Sequence, residues 1–212
     1  PLISKLLDVE EYRKIYLSHI RTILNDYFVN EVYKERITTL QDNIRVPLIT
    51  DRNRYYTSDE FANSLTETIG ELSRIPGLVS FMDKRASWLK KTPELIVVPP
   101  QFGRITYKER EQFSRERVET FHIQVPLDQY TREVHIAYRF GAEGPFTVAK
   151  MADDGISFDE EAGDHIFGII LDPPSGKKTL EFYLKATNAR TVSFSPMNYV
   201  ANKHRISLSD LN

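Results

Sequence analysis

The chain contains no cysteine, and it has no apolar run of the roughly eighteen residues that are needed to cross a bilayer. The absence of cysteine excludes disulfides, thiol nucleophiles and zinc sites with thiolate ligands. Lys and Arg number 28 against 30 Asp and Glu, which gives a formal net charge of −2. A dedicated nucleic-acid-binding protein usually carries a strong basic excess, so the charge argues against that class of protein. The composition, 41% hydrophobic and 27% charged, is that of a globular chain.

Motifs of the common enzyme classes are also missing. The sequence has no glycine-rich phosphate loop, no G-x-S-x-G nucleophile elbow and no H-E-x-x-H zinc motif. The H-R-D and D-F-G motifs of protein kinases are absent as well. The five histidines are scattered singly; His122 and His135 are candidates for cross-strand neighbours, but no carboxylate spacing makes them a site. We therefore assign no catalytic and no cofactor-binding residue in this chain.

The first ninety or so residues have helical periodicity. Residues 8–11 have the spacing of a capping box, and apolar side chains recur every three or four positions over residues 16–28. A second capping box at residues 57–60 predicts a helix that carries its apolar stripe as far as Leu72. A third helix is predicted from Leu78 to about residue 91.

Beyond the prolines at 99 and 100 the apolar period changes from 3.6 to two, which is typical of half-buried strands. Short strands are predicted at residues 120–125, 134–140, 146–151, 165–171, 179–187, 191–195 and 205–208. About seven short strands in this length are typical of an immunoglobulin-like sandwich, although the Cys-Trp-Cys core of antibody domains is absent. The charged residues 108–117 are expected to form a solvated loop or a helical turn.

These patterns predict an α+β chain of two domains. Residues 1–97 are expected to be an all-α helical segment, and residues 98–212 an all-β immunoglobulin-like sandwich. The chain opens with Pro1 and has neither an initiating Met nor a signal peptide, so we expect it to be a piece of a longer polypeptide.

The most chemically suggestive segment runs from residue 151 to residue 168 and contains six carboxylates with no Lys or Arg among them. Calcium prefers several oxygen ligands, and the natural candidates are Asp153, Asp154, Asp159 and Asp164, with Glu160 or Glu161 as supplements. The spacing is not that of an EF-hand. The other interpretation is a pair of linked turns, at residues 154–155 and 163–164, in which Asp side chains accept hydrogen bonds from backbone amides. We prefer the turn interpretation and keep calcium as the alternative.

Trp88 is the only tryptophan in the sequence. Its place beside Leu89, seven residues after Phe81, predicts core packing and not a carbohydrate-stacking role. Arg85 is expected to pair with an acid rather than to bind phosphate.

Several segments resemble the spore coat protein H (CotH) kinase-like family. PLISKLL at residues 1–7 and EYRKIYL at residues 11–17 resemble the segment just after its catalytic core, and LVSFMDKRASWL at residues 78–89 resembles its late helix. The second half resembles a sandwich appended to bacterial members, in which D-D-G-x-x-G-D-x-x-A-G-D-G-x-Y is common. The chain matches this pattern at Asp153, Asp154, Gly155, Asp159, Ala162, Gly163 and Asp164, and departs from it at Phe158, His165 and Phe167.

The resemblance implies a parent protein that is an atypical kinase or kinase-like protein, whose nucleotide- and metal-binding acids lie upstream in a W-D-x-D-type motif. No such motif occurs here, so ATP and magnesium are expected only in the upstream part of the parent, and no catalytic residue can be carried over. We leave open whether the parent is catalytically active.

The leading hypothesis is therefore the non-catalytic C-terminal region of a secreted or cell-surface bacterial CotH-like protein. Its helices would support the kinase-like lobe, and its sandwich would be a spacer or adhesion module. Expected partners are the N-terminal kinase-like domain of the same polypeptide and a cell-surface protein, coat protein or glycan; no nucleic acid is expected. The alternative is a stand-alone carbohydrate- or calcium-binding sandwich. A hydrolase that uses the acidic loop is disfavoured, because six acids on one exposed loop would titrate much alike.

Overall fold

The computed structural model of the chain describes residues 2–111 and 119–207. The helical elements are α1 (Leu2–Leu7), α2 (Glu10–Ile23), a π-helical segment (Leu24–Val29), α3 (Val32–Thr50), α4 (Ser58–Asn63), α5 (Leu78–Lys90) and α6 (Pro93–Ile96). The strands are β1 (Thr106–Glu111), β2 (Glu119–Pro126), β3 (Glu133–Phe140), β4 (Thr147–Met151), β5 (Ile166–Leu171), β6 (Thr179–Thr187), β7 (Val192–Ser195) and β8 (His204–Ser207). The predicted order of helices followed by strands is confirmed.

The chain divides into two compact units. One contains Pro1–His19 together with Val97–Asn212, and the other is Ile20–Ile96. The first residues of the chain thus group with the strands, while the division into domains at residues 97 and 98 stays a prediction. No helix in the described parts of the chain is both long and apolar enough to cross a membrane.

The strands form two antiparallel sheets that enclose one core. One sheet has the order β1-β2-β5 and the other β4-β3-β6-β7, with β8 also paired to β6. Along β6 buried and half-buried residues alternate, as the period of two predicts. The core draws apolar side chains from both sheets, among them Phe121, Ile123, Ile136, Leu171, Phe182 and Leu184. Burial of each such side chain contributes roughly 1.5–3 kcal/mol.

The opening residues lie on the outer face of the larger sheet, within the same unit. The carboxylate of Glu11 pairs with the ammonium of Lys185. Lys185 faces away from the core, because the residues on either side of it in β6 are buried. The ring of His19 stacks on those of Phe194 and Tyr199, with centroid distances of 6.2 and 5.6 Å. Aromatic stacking and an ion pair therefore hold these residues to the sheet.

In the other unit a buried tyrosine joins α3 to α5. The hydroxyl of Tyr33 donates to the carboxylate of Asp83, which also pairs with Lys34 at 3.3 Å. Burial, reinforced by the hydrogen bond to Asp83, raises the pKa of Tyr33 to about 12. The side chain therefore stays a neutral donor at any physiological pH.

The helix boundaries correct two predictions. The capping box at Thr57 and Glu60 is confirmed, but its helix ends at Asn63 and not near Leu72, which is fully exposed. Ile69 and Ile75 form an antiparallel bridge on either side of Leu72, so backbone pairing replaces the predicted helix. The predicted cap at Asp8 is also wrong, because the carbonyl of Val9 accepts the first helical bond of α2.

The seven predicted strands are present, with bounds shifted by at most one residue, and one strand was missed. β1 pairs with β2 and contains residues 108–111, which the sequence analysis expected to form a loop or helical turn. β1 lies at the edge of its sheet, where charged residues are common, so it lacks the apolar alternation that reveals a strand. Residues 112–117 of the same prediction lie outside the described residues.

Candidate functional site

The acidic segment lies in the loop between β4 and β5, and hydrogen bonds close its base. The amide of Ala152 donates to the carbonyl of Gly168 at 3.0 Å, and the amide of Gly168 donates back at 2.7 Å. A Cβ built on Gly168 would lie 2.1 Å from the carbonyl oxygen of Ser157. The missing side chain at residue 168 therefore lets the loop cross closely over β5.

Two of the acids fold the loop by accepting hydrogen bonds from backbone amides. Asp153 accepts from the amide of Gly163 at 2.6 Å with one oxygen and from that of His165 at 3.1 Å with the other. Asp164 accepts from the amide of Ile166, two residues on, at 2.8 Å. These contacts are the turn chemistry that the sequence analysis preferred.

Asp154 forms a tight turn of its own. One oxygen accepts from the amides of Ile156 and Ser157, at 3.0 and 2.8 Å, and the other accepts from the hydroxyl of Ser157. The amide of Ser157, followed by that of Ile156, lowers the pKa of the Asp154 carboxyl. Asp154 is therefore held as a carboxylate by its own turn.

Asp159 differs from the other acids because it is only 5% exposed. Its Oδ2 accepts from the amide of Gly155 at 2.9 Å, whereas its Oδ1 is buried and has no hydrogen-bond partner among the described residues. One oxygen each of Asp153, Asp159 and Asp164 lies within 4.8 Å of the others. The structure thus brings together three of the four predicted calcium ligands.

The remaining predicted ligands lie outside this group. In the described parts of the chain the group consists of Asp153, Asp159 and Asp164 only, so Asp154, Glu160 and Glu161 do not join it. Glu160 and Glu161 are exposed. The proximity of Asp153 and Asp164 follows from the way in which Asp153 bridges the ends of the loop, and residue spacing alone does not reveal that bridge.

Two residues of the loop take a backbone conformation that glycine usually adopts. Phe158 and His165 have φ angles of 62° and 67°, and they stand where the CotH-like pattern has glycine. The Phe158 ring packs edge-on against the ring of His122 at a centroid distance of 5.0 Å. The positive-φ geometry is thus kept at both positions, and Phe158 is anchored by an aromatic contact.

The two histidines considered as cross-strand neighbours lie in different sheets. His122 is in β2 and His135 in β3, and these strands do not pair. The prediction was wrong because the connection between β2 and β3 passes from one sheet to the other instead of forming a hairpin. Nε2 of His122 shares a hydrogen bond of 2.8 Å with the Thr120 hydroxyl.

The prediction that Trp88 packs in the core is wrong for this structure. Its side chain is 58% exposed, and the guanidinium of Arg85 lies 4.9 Å from the ring centroid. The packed face of α5 passes through Met82, Ala86 and Leu89, whereas Trp88 lies on another face. Arg85 therefore contacts an aromatic ring and not the acid that was expected.

A second group of ionisable side chains, which the sequence analysis did not identify, lines a cleft of about 1050 Å³ within the unit that contains the strands. Glu10 pairs with Lys14 at 2.7 Å, and Glu11 pairs with Lys185. The hydrogen bond and charge of Lys185 lower the pKa of Glu11, and burial lowers that of His135. Because each of these carboxylates has a lysine partner, the arrangement favours holding the helix on the sheet over acid–base chemistry.

A comparison with curated proteins gave no match. The family model described as CotH kinase protein matches residues 1–89, which include both of the helical segments that resembled this family. The first 89 residues are therefore similar to the CotH kinase family, as the resemblance predicted.

Proposed function

We propose that this chain is the non-catalytic C-terminal region of a secreted CotH-like protein, in which residues 1–97 complete and support a kinase-like lobe. The observation that carries the proposal is the poor burial of apolar side chains in the part of the chain that matches the family. Among the described residues before 97, only Leu24, Tyr33 and Ala86 are buried apolar side chains.

Many apolar side chains of these helices are exposed instead. They include Leu2, Ile3, Leu40, Ile44, Val46, Ile49, Phe81 and Trp88. Extended apolar surface of this kind marks an interaction site, because a soluble domain rarely leaves so much of it in water. We assign the covering surface to the kinase-like part of the same polypeptide, because the family match lies on the same helices.

The best-formed part of this surface is an apolar groove in the unit Ile20–Ile96. Ile44, Pro47, Leu48, Phe61 and Ile69 line it, and its volume is about 450 Å³. Along α3 the apolar stripe is buried at Tyr33, half-buried at Ile37 and exposed at Leu40 and Ile44. The apolar stripe is therefore less well covered toward the C-terminal end of α3. We propose that an apolar segment of the kinase-like part fills the groove.

The test is binding between this chain and the kinase-like part of the same polypeptide, produced as a separate chain. We expect Ile44→Asp to weaken binding at least about 10-fold, because it places a charge in an apolar contact. Asn43→Asp adds the same charge at the neighbouring exposed position of α3 and should change the affinity less than about twofold. Failure of the unmodified chain to bind, or equal affinity for Ile44→Asp, would reject the proposal.

For the second half we propose an immunoglobulin-like sandwich that acts as a spacer or adhesion module at the cell surface, with a coat protein, surface protein or glycan as partner. Support comes from the strand order, since β1-β2-β5 facing β4-β3-β6-β7 corresponds to the two sheets of such sandwiches. Antibodies to this region should label intact producing cells or the spent medium. Labelling only after lysis would contradict a surface location.

A further inference from the structure

We propose that Asp153, Asp159 and Asp164 bind one calcium ion in the loop between β4 and β5. Calcium–oxygen distances of roughly 2.3–2.6 Å place two ligands on opposite sides of the ion roughly 4.6–5.2 Å apart. The three carboxylate oxygens lie within 4.8 Å of one another, a separation that suits ligation of a single calcium ion. The donors are all oxygens, as calcium prefers.

The buried oxygen of Asp159 points independently to a cation. Asp159 is 5% exposed, and its Oδ1 has no hydrogen-bond partner among the described residues. A buried carboxylate oxygen without a partner is costly, and such groups are normally satisfied by a hydrogen bond, a water or an ion. The same residue belongs to the group of three converging carboxylates, where a cation would supply the missing partner.

The charge of the loop supports the same conclusion. Three carboxylates at this separation repel one another, and residues 151–168 contain no Lys or Arg to offset their charge. A divalent cation removes the repulsion. Because binding of the ion relieves this repulsion, it should also stabilise the folded loop.

Backbone hydrogen bonds hold the ligands in place before the ion arrives. Asp153 accepts from the amides of Gly163 and His165, Asp159 from that of Gly155, and Asp164 from that of Ile166. A carboxylate oxygen that accepts one amide retains a lone pair for a metal. The turn contacts are therefore compatible with calcium, and they reduce the entropy that binding would otherwise cost.

Calcium fits this loop better than magnesium does. Magnesium demands near-ideal octahedral geometry at roughly 2.0–2.1 Å and gives up its waters reluctantly, whereas calcium accepts irregular arrangements. Backbone amides hold all three carboxylates in an arrangement that is not octahedral by construction, which suits calcium better. Backbone carbonyls and water would complete the calcium coordination shell.

The experiment is a calcium titration of the 212-residue chain by calorimetry, together with melting curves in calcium and in EDTA. We expect a dissociation constant on the order of 10⁻⁴ to 10⁻³ M and a melting temperature that rises by a few degrees in excess calcium. Magnesium at the same concentration should give a smaller rise. Absence of calcium binding at millimolar concentration would overturn the proposal.

The variants locate the ion. Asp159→Asn should weaken calcium binding at least about 10-fold. Asp164→Asn should do the same, and its exposed amide keeps an oxygen that can accept from the amide of Ile166. Glu160→Gln removes the same charge from an exposed position outside the group and should bind calcium within about twofold of the unmodified chain. If all three variants bind calcium equally well, the site does not lie at these aspartates.

Discussion

Phe158 and His165 hold their backbone in the left-handed region, which glycine adopts at little cost and other residues adopt at roughly 1–2 kcal/mol. Phe158 recovers part of this cost by packing against the buried ring of His122. His165 is half-buried, and its backbone amide, not its side chain, contacts Asp153. Phe158 and His165 therefore differ in how well their side chains offset the backbone strain.

His165→Gly is expected to raise the free energy of unfolding by about 0.5–1 kcal/mol, because relief of the strain exceeds the added entropy of glycine in the unfolded chain. His165→Ala is the matched control, since it removes the imidazole but keeps the Cβ that causes the strain. Urea unfolding measures both variants. A gain that is equal in the two variants would attribute the effect to the imidazole and not to the backbone.

His204 makes stability depend on pH. Burial lowers the pKa of His204 from its ordinary value of 6.5, and burial lowers that of His135 in the same direction. The unfolded chain therefore binds protons that the folded chain does not, and stability falls as the pH drops through about 6.5. His204→Gln should show a smaller loss of melting temperature between about pH 7.5 and pH 5.5 than the unmodified chain. An equal loss in the two proteins would show that His204 does not contribute.

Residue identity predicted the acidic group only in part. The Asp residues could be recognised as oxygen donors, but the four-ligand set included Asp154, which the structure keeps in a separate turn. In the sequence, only the neighbouring aromatic residue Phe158 hints that Asp159 is buried. Burial depends on what the loop covers, and a sequence of six similar acids does not contain that information.

At the level of elements, the loop between β4 and β5 passes very close to Gly168 in β5. A Cβ there would overlap the carbonyl oxygen of Ser157 and approach that of Phe158 to 2.8 Å. Both obstacles are backbone atoms, so they cannot move aside without displacing the loop or the strand. Gly176, by contrast, has a φ of 79° and open space around its Cβ position.

Gly168→Ala is therefore expected to destabilise the chain by about 3 kcal/mol or more, as overpacking against backbone does. Gly176→Ala, the control, should cost about 1 kcal/mol through its positive φ alone. Denaturant unfolding of the two variants provides the comparison. Equal costs would mean that the loop is not held against β5.

Elements with strong periodicity were predicted well, and those without it were not. β6 and α5 have clear apolar patterns, and their bounds agree closely with the sequence analysis. β1 was missed because alternating charges replace apolar residues at the sheet edge. The helix expected to reach Leu72 ends at Asn63, because pairing between Ile69 and Ile75 competes with the weak helical pattern there.

On the scale of the whole molecule, the two parts differ in how they bury apolar surface. The strands enclose a core with fully buried residues such as Phe121 and Ile136, whereas the described helices leave residues such as Val46 and Trp88 in water. The sequence predicted the change from helices to strands. It could not predict that residues 1–19 group with the strands, because contacts such as Glu11 with Lys185 join positions far apart in the chain.

We propose that the CotH-like helices complete a kinase-like lobe through the groove at Ile44. Amide hydrogen exchange tests it most directly, measured on this chain alone and again when joined to the kinase-like part of its polypeptide. We predict that exchange slows at least about 10-fold in the C-terminal half of α3 and in residues 61–69, while the core strands β3 and β6 stay unchanged. Identical exchange of these helical residues in both proteins would contradict the claim.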